Sequence, residues 1–109
     1  MFKVPEIDVT ELQRNREKYI LVDVREPHEL GGPEGQIDGV LLMTLGTRFA
    51  QFLVATDPEQ SYVFICRSGH RSAHACEIAH AYGLSKVLNM KGGMLAWNQA
   101  LMTQDLPQI

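Results

Sequence analysis

The chain reads as an α/β domain: a mainly parallel central sheet of about five short strands with helices on both faces. Three observations predict this. Short apolar runs such as Tyr19–Val24 and Ser61–Cys66 lack the alternation of a half-exposed strand, as strands buried on both faces do. Segments of about ten residues with helical spacing separate them. The length, 109 residues, suits one domain able to bury a core without disulfides or a structural metal.

Taken in order, "KVPEI" supplies at most a short edge strand, because Pro5 cannot donate to a central ladder. Asp8 with Glu11 has capping-box spacing and opens a helix to about Lys18. "YILVDV" (Tyr19–Val24) is a buried strand running into a charged loop. "GVLLM" (Gly39–Met43) is a weaker strand candidate. Thr47–Ala55 carries Phe49, Phe52 and Leu53 at helical spacing. "TDPEQ" signals a turn before the strand "SYVFIC" (Ser61–Cys66). The segment Ser72–Tyr82 places Ala75, Ile78, Ala79 and Tyr82 on one face, and Gly83 is a natural stop. "KVLNM" (Lys86–Met90) is a second weak strand. Met94–Met102 aligns Met94, Trp97 and Leu101, with Pro107 beyond it.

Composition narrows the function classes. A net charge of −3 argues against a general nucleic-acid or membrane-surface binder. No apolar run approaches membrane-spanning length, and the first residues reach acidic side chains too soon for a signal-peptide core. Two cysteines ten positions apart make no disulfide scaffold, so a reducing cytoplasm is the expected location.

One window departs from the acidic average. From Ser61 to Cys76 there is no Asp or Glu, yet Arg67, His70, Arg71 and His74 lie within it. Cys66 stands at the predicted strand's end, just before a helix, where α/β folds place their ligands. A helix N-terminus and nearby arginines stabilise a thiolate, which is the reactive form of cysteine. Gly69 permits a positive φ, so that the amides of the intervening loop curl into an anion-binding nest. Ser68 and Ser72 offer hydroxyl donors or a helix cap.

Three readings of Cys66 compete. A plain core cysteine has no need of two flanking arginines. A zinc site would have to gather Cys66, His70, His74 and Cys76 from one loop and helix, with Cys76 turned away from His74 and arginines beside the metal. The nucleophile reading uses every residue of the loop, and the residues favour it.

The motifs "LVDVREPHE" (Leu21–Glu29), "EGQIDGV" (Glu34–Val40), "VFICRSGHRS" (Val63–Ser72) and "VLNMKGGMLAW" (Val87–Trp97) resemble, in order, the signatures of the rhodanese (sulfurtransferase) family. The resemblance spans about residues 4–103, so that one rhodanese-like domain is expected over 1–109. It implies that Cys66 takes a sulfane sulfur from a small anionic donor such as thiosulfate, or from a persulfide. The sulfur would be held as a persulfide among Arg67, Ser68, Gly69, His70, Arg71 and Ser72, and passed to cyanide or to a small-molecule or protein thiol. The resemblance implies no metal or organic cofactor. Asp23 and Arg25 are expected to be a structural ion-pair network supporting the site, with Arg25 helping to fix or polarise the active-site loop as the sharper reading. Trp97 is expected in the core. Cys76 is expected on or beside a buried helix face, with a resolving role as the minor alternative.

Two departures stand out. Gln36 replaces the family's usual histidine, and "LGGPEG" (Leu30–Gly35) makes a glycine-rich loop whose shape the residues do not specify. The enzymatic rival is a cysteine phosphatase, whose phosphate loop has one more residue than the four between Cys66 and Arg71. The non-enzymatic rival is a catalytically silent rhodanese-like module for partner binding or regulation. The presence of Cys66 and a full loop weighs against it.

Overall fold

The computed structural model describes residues 2–103, and Pro107 lies outside them. Five strands, β1 (Glu6–Ile7), β2 (Ile20–Asp23), β3 (Leu41–Leu42), β4 (Tyr62–Ile65) and β5 (Val87–Met90), form one sheet in the order β1-β5-β4-β2-β3. All four pairings are parallel. Between the strands run α1 (Val9–Asn15) with a 3₁₀ turn at Arg16–Lys18, α2 (Pro27–Leu30), α3 (Thr47–Ala55), α4 (His70–Ala81) and α5 (Gly93–Met102). The α/β class is therefore as expected, and both edge strands are two residues long.

Alternation along the strands divides the core into two layers. Tyr62, Phe64 and Cys66 point with Val22, Val24 and Val87 toward α3 and α4, meeting Phe49, Leu53, Ala75, Cys76 and Ala79. Val63 and Ile65 point the other way with Leu21 and Met90, against Leu12 of α1 and Met94, Trp97 and Ala100 of α5. Phe64 meets Phe49 edge-on, with ring centroids 5.2 Å apart. Trp97 is a core residue, as expected.

Three local expectations are corrected. Asp8 occupies the N-cap of α1, but its side chain makes no cap hydrogen bond; its carbonyl accepts the Leu12 amide instead. Helix α4 begins at His70 rather than Ser72, because Gly69, at φ +100°, already turns the chain into the helix. The buried face of α4 is Ser72, Ala75, Cys76 and Ala79, while Tyr82 is 48% exposed past the helix end. The sequence reading also left out α2, a single turn with Pro27 at its start and a complete capping box between Glu26 and Glu29.

Candidate active site

Cys66 follows directly on β4, at the C-terminal end of a central strand, and is only 1% exposed. Three donors converge on its Sγ. The Gly69 amide lies at 3.1 Å, the Ser72 amide at 3.3 Å and the Ser72 hydroxyl at 3.2 Å. The two amides come from the turn where Gly69's positive φ folds the loop back over the sulfur, so that helix α4 starts against it. Burial pushes the Cys66 thiol up, but the Ser72 hydroxyl, the Ser72 and Gly69 amides and the Ser68 amide outweigh it, and the net effect holds the thiol below its ordinary value.

The loop is braced from beneath by the start of α5. The Met94 amide donates to the Cys66 carbonyl at 2.9 Å and the Leu95 amide to the Arg67 carbonyl at 3.0 Å. This approach requires glycine at position 93: a Cβ there would stand 2.5 Å from the Cys66 and Arg67 carbonyl oxygens.

The arginines are placed differently from the simple expectation of bare positive charge around the sulfur. Arg71 forms a two-pronged pair with Glu29 of α2, Nη1 to Oε2 at 2.8 Å and Nη2 to Oε1 at 2.9 Å. That hydrogen bond leads the forces holding Glu29 down to about 2, against an opposing push from burial. Arg67 is half-exposed and has Glu34 at 3.5 Å. The window without acidic residues is thus answered in space by two carboxylates from earlier in the chain, Glu29 of α2 and Glu34 of the loop after it. Hydrogen bonds, ahead of the arginine charges, favour the thiolate.

The remaining predicted residues divide between the loop and its supports. Ser68 turns its hydroxyl to His70 Nδ1 at 3.1 Å, on the outside of the loop. Ser72 caps nothing; it faces inward to Sγ. Asp23 and Arg25 are both fully buried and paired, Nε to Oδ1 at 2.9 Å and Nη2 to Oδ2 at 2.8 Å. Arg25 also donates to the Gly35 carbonyl at 2.7 Å, and Thr44 holds the Arg25 carbonyl at 2.8 Å. Arg25 therefore holds the end of the glycine-rich loop that follows α2, whose Glu29 reaches Arg71, and its link to the Cys66 loop is indirect.

Among the described residues, no group of three or more His, Cys, Asp or Glu side chains gathers as a metal site. His74 turns to Glu77, at 3.2 Å, while Cys76 points into the core. Among the described residues no helix is long and apolar enough to cross a membrane.

One residue at the site was missed by the sequence reading. Asn89 of β5 is buried and shares Val87's side of the strand, facing α4. Its Oδ1 accepts from the Ser72 hydroxyl, and its Nδ2 donates to the Gly69 carbonyl at 3.0 Å and to Glu6 Oε2 at 3.3 Å. The signal was a carboxamide in the otherwise apolar run "VLNM", at the end of a strand beside β4.

Residues 8–100 match the family of rhodanese-like domains. The chain belongs to that family. It is 38% identical over 81 residues to a putative sulfurtransferase, YtwF, of Bacillus subtilis, covering 74% of this chain and 75% of the relative. It is 34% identical over 98 residues to a sulfurtransferase of Allochromatium vinosum, covering 86% and 88%. The crystal structure of a rhodanese-related protein from Thermoplasma volcanium superposes with a TM-score of 0.74 at 26% identity, over 96% of this chain and 97% of that one.

In this rhodanese-like domain the two departures from the signatures fall outside the sulfur cradle. Gln36 is exposed and lines a shallow depression with Arg16, Asp38 and Trp97. The glycine-rich loop is two linked turns, Gly32 amide to Glu29 carbonyl at 3.0 Å and Gly35 amide to Gly32 carbonyl at 3.1 Å. Those turns leave Glu29 beside Arg71 and Glu34 beside Arg67.

Proposed function

We propose that the protein is a sulfurtransferase that carries a sulfane sulfur on Cys66. The observation behind this is the set of three donors converging on Sγ at the end of β4. They favour an anionic sulfur at rest, and the same amides suit an anionic sulfur one bond further out. In the first step the Cys66 thiolate attacks the donor's sulfane sulfur. A new S–S bond forms, and the donor's own bond breaks with its electron pair leaving on sulfite or a thiolate. In the second, a cyanide or thiol acceptor attacks the outer sulfur and the Cys66–S bond breaks, returning the thiolate. Electrons balance within the two displacements, so the cycle draws on no external oxidant, and ping-pong kinetics follow.

Relatives named as sulfurtransferases support this reading. The near-closed surface over Cys66 supports a small donor or terminal persulfide rather than a bulky group. Thiosulfate is a candidate, with Arg67 as its exposed cation, although Glu34 at 3.5 Å offsets part of that charge. A reducing compartment such as the cytoplasm keeps the thiol available between turnovers.

The test is intact-protein mass after incubation with thiosulfate or a low-molecular-weight persulfide, beside a Cys66→Ser control. A gain of about 32 Da on the wild type alone, removed by cyanide or dithiothreitol, is the expected result. No gain with any donor, in a folded protein, would overturn the transferase reading and favour a silent partner-binding module.

A further inference from the structure

The Ser72 hydroxyl has one hydrogen and two claimants. Cys66 Sγ lies at 3.2 Å on one side, and Asn89 Oδ1 is in close hydrogen-bond contact on the other. The carboxamide does not trade its ends freely, because its nitrogen is engaged with the Gly69 carbonyl and the Glu6 carboxylate. Its oxygen therefore stays turned to Ser72.

The number of hydrogens depends on the state of the sulfur. With Cys66 as a thiol, S–H donates to Oγ, and Oγ–H donates to Oδ1, so that every group has a partner. With Cys66 as a thiolate, the sulfur's proton has gone to solvent. Sγ, Oγ and Oδ1 are then three acceptors sharing a single hydrogen, and whichever of Sγ and Oδ1 loses it is left facing a lone pair. In a persulfide, Sγ becomes a neutral bridging atom and the charge sits on the outer sulfur, so the hydroxyl is free to turn back.

We propose that Asn89 is a positioning residue that holds the Ser72 hydroxyl hydrogen while Cys66 Sγ is uncharged and yields it when Sγ ionises. It thereby favours the thiol and the loaded persulfide over the free thiolate. The persulfide half rests on the transferase reading above; the ionisation half rests on the hydrogen bonds alone.

Other charged groups act on the same sulfur. Arg71 of α4 senses both Cys66 and Asp23 of β2, and is itself paired with Glu29 of α2. Asp23 is paired with Arg25. Glu6 of β1 reaches Asn89, Arg67 pairs with Glu34 across the loop, and His70 meets Ser68. None of these contacts passes through the Ser72 hydroxyl, so comparing the effect of Asn89→Ala with the hydroxyl present and with it removed by Ser72→Ala separates them from the switch.

The experiment is the pH profile of Cys66 alkylation by iodoacetamide in wild type, Asn89→Ala, Ser72→Ala and the double variant, each checked as folded by circular dichroism. Alkylation needs no sulfur donor, so its outcome is independent of whether the protein transfers sulfur. Relative to its effect in the Ser72→Ala background, Asn89→Ala made in the wild type is expected to lower the midpoint by about 0.4–1 pH unit, the scale of one hydrogen bond. Equal shifts in both backgrounds would make Asn89 only a brace for the Gly69 carbonyl, and a larger upward shift with Ser72 present would mean that it aims the hydroxyl at sulfur. Either would overturn the proposal. Should a variant not fold, the wild type itself decides. The Asn89 side-chain amide resonances are expected to titrate with the midpoint of Cys66 and to return toward their low-pH position once mass spectrometry shows the persulfide. Resonances indifferent to both events would equally overturn it.

Discussion

The reactivity assigned to Cys66 comes down to whether hydrogen bonds beat burial at a single sulfur. A thiol that is 1% exposed in apolar surroundings would hold its proton; Cys76, ten residues on, does. At Cys66 two amides and a hydroxyl reverse the outcome. Ser72 supplies two of those three donors, and only its hydroxyl can be removed by substitution. Ser72→Ala should therefore raise the apparent pKa of Cys66 by about 1 unit, since a hydrogen bond to a charged group is worth about 1.5–3 kcal/mol and the contact with Asn89 given up for it about 0.5–1.5 kcal/mol. Alkylation would slow at neutral pH and recover at high pH, which the rate-against-pH profile measures. A slower rate at every pH with an unmoved midpoint would point to lost access and count against the hydrogen-bond account. Local order showed Cys66, Gly69 and Ser72 to be one unit, because the loop is continuous in sequence. Asn89 escaped notice because its partner lies 17 positions away, and nothing in "KVLNM" tells which face of the strand meets α4.

At the scale of elements, the site depends on helices that touch it from other parts of the chain. The one-turn helix α2 was absent from the sequence reading, although its signals were present: proline at the first helical position, and Glu26 with Glu29 at capping-box spacing. Those cues are short, and the glycines that follow suggested a loop. What no local pattern carried is that Glu29 crosses 42 positions to clamp Arg71. The clamp makes stability depend on acid. The Glu29 carboxyl sits at about 2 when folded against an ordinary 4.5, so its stabilisation is complete above about pH 4.5 and is lost as the pH falls through 2. Glu29→Gln keeps one acceptor oxygen for the Glu26 amide and removes the charge together with one prong of the Arg71 pair. With the pair partly exposed, the loss should be about 1 kcal/mol, lowering Tm by about 4–8 °C at pH 7. Thermal melts of the two proteins should converge as the pH approaches 2, whereas a gap that persists in acid would mean that the glutamine disturbs α2 by its shape.

For the molecule as a whole, the two-sided core was legible because the apolar runs of β2 and β4 have no polar face. The edge candidate "KVPEI" and the weaker candidate "GVLLM" shrink to two residues each, as β1 and β3 at the sheet's edges, where little burial specifies them. The same architecture separates the two cysteines. Both belong to the layer between the sheet and α3 and α4, yet Cys66 stands at its rim among donors and Cys76 lies inside it, fully buried. Burial first, then the nearby Glu77 and Glu6 charges, pushes the Cys76 thiol up to about 12. A buried thiol held protonated in this way is a weak nucleophile, which weighs against a resolving role while the fold is intact. Peptide mapping after timed exposure to iodoacetamide should find Cys66 modified first, and Cys76 modified only as denaturant carries the chain through its unfolding transition. Cys76 should thus report the stability of the whole sheet–helix layer, with a rate that follows the unfolded population. Modification of both cysteines in one phase, or a Cys66–Cys76 disulfide formed in native buffer, would show that α4 leaves the sheet far more easily than its packing allows.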